Sequence, residues 1–360
     1  MGELLGLKKV LSKKLLNALL VAVVFSLTIW SVFRGEDIGL LLEYLSFINK
    51  AYLIPCVACV LLFIIGESVI LEYLFHTLGT RVRFGHCCLY SFIGFFYSCI
   101  TPSASGGQPM QVIAMRRDNI PVAVSTVVLA IVTIMYKLVL VVIGVAVLII
   151  RPDTVMYCLD GSYFIIYLGI TLNIGCVSLL LLLVFCPSIV RKCAFAVLDS
   201  VDRIRPLKRK AKLEERLDHL MQQYAGTAEY FRSHHIVIAN VFMITLLQRI
   251  ALFLVTWYAY RAIGLEGENF VTIVIIQAMI SVAVDMLPLP GGMGVSENLF
   301  LQMFLPLFGE TLVLPGMVIS RGISYYTQLI ISAGMTLYAS FALKNRKEEE
   351  RTDREIDRIL

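Results

Sequence analysis

The sequence predicts an all-α, polytopic transmembrane helical bundle in which two re-entrant hairpins of opposite orientation form an inverted repeat. Three observations predict it. Apolar residues make up 58% of the 360 and charged residues 16%, against roughly 45–50% and about 25% in an average soluble domain. The apolar residues fall in runs that approach or exceed the roughly 20 residues a helix needs to cross a bilayer. Two of those runs stop at a stretch rich in Pro and Gly rather than at a charged boundary. With a mean hydropathy of +0.82, the composition excludes a soluble globular enzyme, a disordered chain and a secreted disulfide scaffold.

The apolar segments lie near 15–32, 52–75, 87–103, 121–150, 162–186, 235–260, 271–287, 296–308 and 312–343. The first is long and lacks a small-residue cleavage site, so it reads as a retained first span. The 87–103 run ends in Thr101-Pro102-Ser103-Ala104-Ser105-Gly106-Gly107. The 271–287 run ends in Leu287-Pro288-Leu289-Pro290-Gly291-Gly292-Met293-Gly294. Proline removes a backbone donor and glycine disfavours the helix, so neither stretch continues one.

Charge sets the orientation. Lys8, Lys9, Lys13 and Lys14 place the N-terminus in the cytoplasm. Arg81 and Arg83 precede the first broken segment and Arg116 and Arg117 follow it, so 87–116 enters from the cytoplasm and returns there. The last span ends inside at Lys344, Arg346 and Lys347, which makes 271–308 a hairpin that starts and ends outside. Of 31 Lys and Arg, this assignment puts 24 inside and 4 outside, with Lys137, Arg249 and Arg321 within spans. Both termini are expected in the cytoplasm, and the chain in the cytoplasmic (inner) membrane.

The halves repeat. Each runs span, hairpin, long span: about 52–150 first, and about 235–343 second. Residues 1–343 thus form one membrane domain, with a basic cytosolic segment, 187–234, between the halves and a charged cytosolic tail at 344–360. Each hairpin tip has Pro followed by Gly-Gly, and Gly106 precedes Lys137 by 31 residues as Gly291 precedes Arg321 by 30. Paired broken segments of opposite orientation are the sequence pointer to a transporter site near the midplane.

A charge at the bilayer centre costs about 2.5–3.5 kcal/mol on insertion scales. Glu67, Lys137, Arg249, Asp285, Glu297 and Arg321 are nevertheless kept within spans. They must face one another or a wet cavity. One reading is structural ion pairs that fix helix register. The other is a polar cavity where the three cations hold an anionic or zwitterionic head group, above all a phosphate. Glu297, Asp285 and Glu67 would then pair with those cations or with a cationic head group. Backbone N–H groups freed at the two broken tips, around Gly106-Gly107 and after Pro290 at Gly291-Gly292, are expected to add anion-binding capacity. Ser103, Ser105, Gln108, Ser296 and Tyr136 would supply neutral hydrogen bonds.

Nothing here points to covalent catalysis, and no catalytic residue, metal or cofactor is expected. Cys56-x-x-Cys59 has no second pair or His cluster to complete a zinc site. The five histidines fall at span boundaries or in the soluble segment. No phosphate-binding Gly-x-x-x-x-Gly-Lys run occurs. The segment 187–234 reads as one or two surface helices, either a solvated linker or a basic surface for anionic inner-leaflet lipids. The tail balances its charges and is not a nucleic-acid arm.

Thr101-Pro102-Ser103-Ala104-Ser105-Gly106-Gly107-Gln108-Pro109 resembles the first signature of the lysylphosphatidylglycerol synthase transmembrane family. Leu289-Pro290-Gly291-Gly292-Met293-Gly294-Val295-Ser296-Glu297 resembles its second, and Ser320-Arg321-Gly322-Ile323 the polar turn of its last span. The similarity covers roughly 10–345. The resemblance implies a flippase-like domain that moves aminoacylated phosphatidylglycerol between leaflets and protects against cationic peptides. Full-length members carry a cytosolic domain that transfers lysine from lysyl-tRNA to phosphatidylglycerol. Only 17 residues follow position 343, so that transferase is expected to be absent, and a phosphatidylglycerol lysyltransferase activity would need a separate aminoacyl transferase. Membrane-only relatives also suggest polyprenyl-linked lipids, with a glycosyltransferase partner. The expected partner is a membrane phospholipid, a homodimer is left open, and no nucleic acid is expected.

Overall fold

The computed structural model describes residue 46 and residues 48–204, 210–289 and 291–339. The apolar segment 15–32, the charged tail and Pro290 lie outside the described residues. Among the described residues all regular structure is helical.

Helix α1 (Leu53–Thr77) follows a single 3-10 turn whose first N–H groups are met by the Asn49 side chain, which accepts from Ala51 N–H at 3.1 Å. Pro55 sits in the first turn of α1, where its missing N–H has no partner to lose. Helix α2 (Phe84–Ile100) ends at Thr101, and after a six-residue turn α3 (Gly107–Arg117) folds back against it. The close approach needs glycine: a Cβ on Gly107 would stand 2.6 Å from Gly94 O and collide with Ser98 Oγ. At the open end of this pair, Asp118 accepts from Tyr90 OH and pairs with His86 Nδ1 at 2.8 Å.

Helix α4 (Val122–Ile150) is the longest, followed by the short α5 (Asp153–Cys158) and by α6 (Tyr163–Phe185). Two helices fill the basic segment, α7 (Pro187–Ile204) and α8 (Lys210–Ser233). Next come α9 (His235–Ala262) and α10 (Phe270–Val284). The chain breaks again at 285–294 and turns back as α11 (Val295–Phe308), which packs against α10. Helix α12 (Val313–Arg321) runs through a π-helical turn, Gly322–Thr327, into a further helical stretch at 328–339. Helices α1, α4, α6 and α9 are long and apolar enough to cross a membrane, and α2 and α10, with 17 and 15 residues, are shorter. The protein is a membrane-embedded, multi-pass helical bundle.

One expectation about the basic segment changes. Helix α8 is not wholly a surface helix. Tyr224, Ala228 and Phe231 recur at helical spacing and are buried against α4, and Tyr224 OH donates to Leu183 O at 3.0 Å. The apolar stripe is masked in the sequence by eight Lys, Arg, Asp and Glu between Lys210 and Arg232.

Helices α1 and α9 lie side by side and antiparallel. Asn49 N–H donates to Ala262 O at 2.8 Å, Gln248 Nε2 to Phe63 O at 2.7 Å and Asn240 Nδ2 to Tyr73 Oη at 2.9 Å. The core has two large apolar clusters. The first gathers α1, α2, α8 and the first half of α4 around the α2–α3 pair. The second gathers α6, α9, α12 and the second half of α4 around the α10–α11 pair. Lys137 lies near the midpoint of α4 and Arg249 near the midpoint of α9, each where its helix passes from one cluster to the other.

Candidate functional site

The two broken turns meet. Ser103 Oγ donates to Leu287 O at 3.2 Å, and Tyr325 OH donates to Cys99 O at 2.9 Å. The first contact joins tip to tip, and the second ties the π-helical turn to the end of α2. Tip geometry is unusual on both sides. Ser103 and Ala104 take positive φ (51° and 54°), which costs roughly 1–2 kcal/mol per non-glycine residue. Gly291 and Gly292 take the same region at φ 58° and 67°.

Behind the tips lies a partly open cavity of about 450 Å³, within the 300–1,000 Å³ typical of ligand sites. Polar side chains reach it from one face of each surrounding helix. On α4 these are Thr133 and Lys137, four residues apart. On α10 and its end they are Gln277, Ser281 and Asp285, again four apart. From the last helix come Arg321, Ser324 and Gln328, three and four apart. Such spacing puts each set on one helix face.

Two ionic clusters hold five of the six charges. Lys137 Nζ lies 2.5 Å from Asp285 Oδ2, and Arg249 Nη2 lies 3.7 Å from the other carboxylate oxygen. Arg249, only 4% exposed, also stacks on Tyr136, with its guanidinium carbon 3.3 Å from the ring centre. Its Nε and Nη2 have no hydrogen-bond partner among the described residues. Arg321 is more fully engaged. Its Nε donates to Glu297 Oε1 at 2.9 Å, its Nη2 donates to Gly291 O at 3.0 Å, and it sits over the Tyr325 ring. Glu297 Oε2 in turn accepts from Gly294 N–H at 2.7 Å, capping α11. Glu67 pairs with no cation among the described residues and accepts from Gln111 Nε2 at 2.6 Å.

Of the residues singled out in the sequence, Glu67, Ser103, Ser105, Gln108, Tyr136, Lys137, Arg249, Asp285, Gly291, Gly292 and Arg321 all line this one cavity. Four do not. Gly106 and Gly107 shape the first turn and the α2–α3 contact. Ser296 and Glu297 are buried at the start of α11, one layer behind the wall. Pro290 lies outside the described residues. The expected supply of free backbone donors also fails in large part. The N–H groups of Ala104, Ser105 and Gly107 are taken by carbonyls within the turn, Gly106 N–H by Thr101 Oγ1 and Gly292 N–H by Leu289 O. Tight turns satisfy their own backbone, so most of the donors that face the cavity belong to side chains. Gln111, Thr133, Gln277, Ser281 and Tyr325 were missed, although the four-residue recurrence of polar residues in apolar runs was there to be read.

A search of the curated proteins found no match. The family model described as "Lysylphosphatidylglycerol synthase TM region" matches residues 16–332. That covers nearly all of the helical bundle and both broken turns, and the chain therefore belongs to the lysylphosphatidylglycerol synthase transmembrane family.

Proposed function

We propose that the chain is a lipid translocase of the bacterial cytoplasmic membrane, with both termini on the cytoplasmic side. Its substrate is an anionic or aminoacylated phospholipid such as lysyl-phosphatidylglycerol, and the physiological result is resistance to cationic peptides. One observation carries the proposal: three cations within the bundle and three carboxylates converge, Glu297 from the second layer, on a cavity where two broken helical turns touch. A polar head group enters that cavity while its acyl chains stay in the bilayer. Helices α2 and α10 are too short for the roughly 20-residue crossing, which supports re-entrant hairpins. The antiparallel packing of α1 on α9 supports an inverted repeat of the two halves. Alternating access then comes from rocking one half against the other, with the contacts of Ser103 and Tyr325 as the seam that parts.

The test is direct. The purified chain is reconstituted in liposomes that carry fluorescent lysyl-phosphatidylglycerol in both leaflets, and an impermeant quencher is added. With the wild-type chain the quencher is expected to reach lipid of both leaflets; with Lys137→Ala it is expected to reach the outer leaflet only. Wild-type liposomes that protect the inner leaflet as well as protein-free ones do would refute the proposal. The word synthase in the family description favours a second reading, in which the chain is the membrane part of a phosphatidylglycerol lysyltransferase. New aminoacyl lipid formed from lysyl-tRNA by the chain would support it.

A further inference from the structure

The three cations of the cavity are not equivalent. Arg321 is committed on two sides, to Glu297 Oε1 and to Gly291 O, and its guanidinium lies over the Tyr325 ring. Lys137 holds Asp285 at 2.5 Å. Arg249 alone combines deep burial with unmet donors: 96% of it is hidden, yet Nε and Nη2 make no hydrogen bond among the described residues. Its only ionic contact among the described residues is Asp285 Oδ1 at 3.7 Å, beyond hydrogen-bond reach. Buried donors without partners are costly, and charged ones more so. A guanidinium held over the Tyr136 ring with two donors unsatisfied is suited to receive a phosphate, because the planar fork matches two phosphate oxygens.

Charge narrows the ligand. Lys137 and Arg249 share one carboxylate, which leaves a local surplus of one positive charge. That surplus belongs to the cluster alone, because Glu67 adds a negative charge on the same cavity. A monoanion is therefore accommodated better than a phosphomonoester dianion, whose second charge meets no further cation of the cluster and is repelled by Glu67.

We propose that Arg249 is the anion subsite of the cavity, that it takes the monoanionic phosphodiester of a lipid head group, and that Asp285 is the internal counter-ion which that phosphodiester displaces. This deepens the translocase reading and rests on it for the lipid character of the ligand. It revises the sequence expectation as well: Arg321 with Glu297 fixes the second tip and does not hold phosphate.

The experiment is a binding measurement on the full chain in maltoside micelles, read against protein-free micelles. The probe is radiolabelled dihexanoyl-phosphatidylglycerol in equilibrium dialysis. Competitors are dihexanoyl-phosphatidic acid at pH 8, dihexanoylglycerol and inorganic phosphate. Arg249→Gln is expected to weaken probe binding at least tenfold, with Arg249→Lys recovering part of the loss. Asp285→Asn is expected to tighten it several-fold, a sign that a damaged fold does not produce. The phosphatidic acid and the uncharged dihexanoylglycerol are each expected to compete at least tenfold more weakly than unlabelled probe. Unchanged binding in Arg249→Gln overturns the assignment, as does weaker binding in Asp285→Asn should Arg249→Gln fail to fold. Inorganic phosphate that competes as well as the unlabelled probe overturns the lipid source. Micelles have no leaflets, so the two proposals fail separately. Liposomes without lipid movement, alongside lost binding in Arg249→Gln, would remove the translocase and keep the subsite; movement with unaltered binding would do the reverse.

Discussion

Glu297→Ala is expected to lose lipid movement completely and to be the least stable single variant of the cavity region. Glu297 is 3% exposed and does two things at once: it neutralises Arg321 and caps the first turn of α11 through Gly294 N–H. Alanine leaves the guanidinium in the protein interior without its carboxylate. Breaking a buried pair from one side typically costs about 3–5 kcal/mol, and a lost N-cap adds about 1 kcal/mol. Glu297→Gln keeps an acceptor for Gly294 N–H and is expected to be milder. The double variant Glu297→Ala with Arg321→Met is also expected to be more stable than Glu297→Ala, since no uncompensated charge remains. Thermal unfolding of the four proteins in the same detergent measures the order. A double variant that falls below Glu297→Ala would show that the ion pair is not the source of the loss.

Gly291→Val is expected to have the second largest effect. Gly291 has φ +58°, and a Cβ there would enter the Tyr325 ring. A β-branched residue in the left-handed region adds about 1–2 kcal/mol of backbone strain, and overpacking adds about 1–3 kcal/mol. The ring cannot move aside without breaking the bond from Tyr325 OH to Cys99 O, which connects the last helix to the first hairpin. Adding Tyr325→Ala to Gly291→Val is expected to restore part of the stability but none of the transport. Gly334→Ala is the control, because nothing lies within 4 Å of that position and its φ is ordinary; it is expected to unfold at the wild-type temperature or slightly above. Stability in Gly291→Val equal to that of Gly334→Ala would contradict the close packing of the tip.

Much of this architecture is written in one-dimensional signals. The apolar runs at 52–75, 121–150, 162–186 and 235–260 became α1, α4, α6 and α9 with ends shifted by a few residues, because burial in lipid is a property of composition. The two breaks are equally local: Pro102 and Pro288 each stand just past the last helical residues of their segment, and glycines follow both. The charged residues were legible as a set that had to converge, but not as pairs. Asp285 takes Lys137 and Arg249, while Glu67 takes the amide of Gln111. Those choices depend on the relative rotation of helices far apart in sequence. The π-helical turn at Gly322–Thr327 leaves no periodic trace in the sequence, yet it presents both Tyr325 and Ser324 to the site. Helix α8 shows the opposite difficulty, since its buried stripe of Tyr224, Ala228 and Phe231 is too sparse to stand out among charges.

The central claim is that two broken helices enter the bilayer from opposite faces and meet at its middle. Arg116 closes the first hairpin and Glu310 follows the second, and both are exposed. Single cysteines at these positions, in a background without the nine native ones, are to be treated in intact cells with a membrane-impermeant maleimide. The account predicts rapid labelling at 310 and labelling at 116 only after the membrane is opened. Equal labelling of both in intact cells would contradict it.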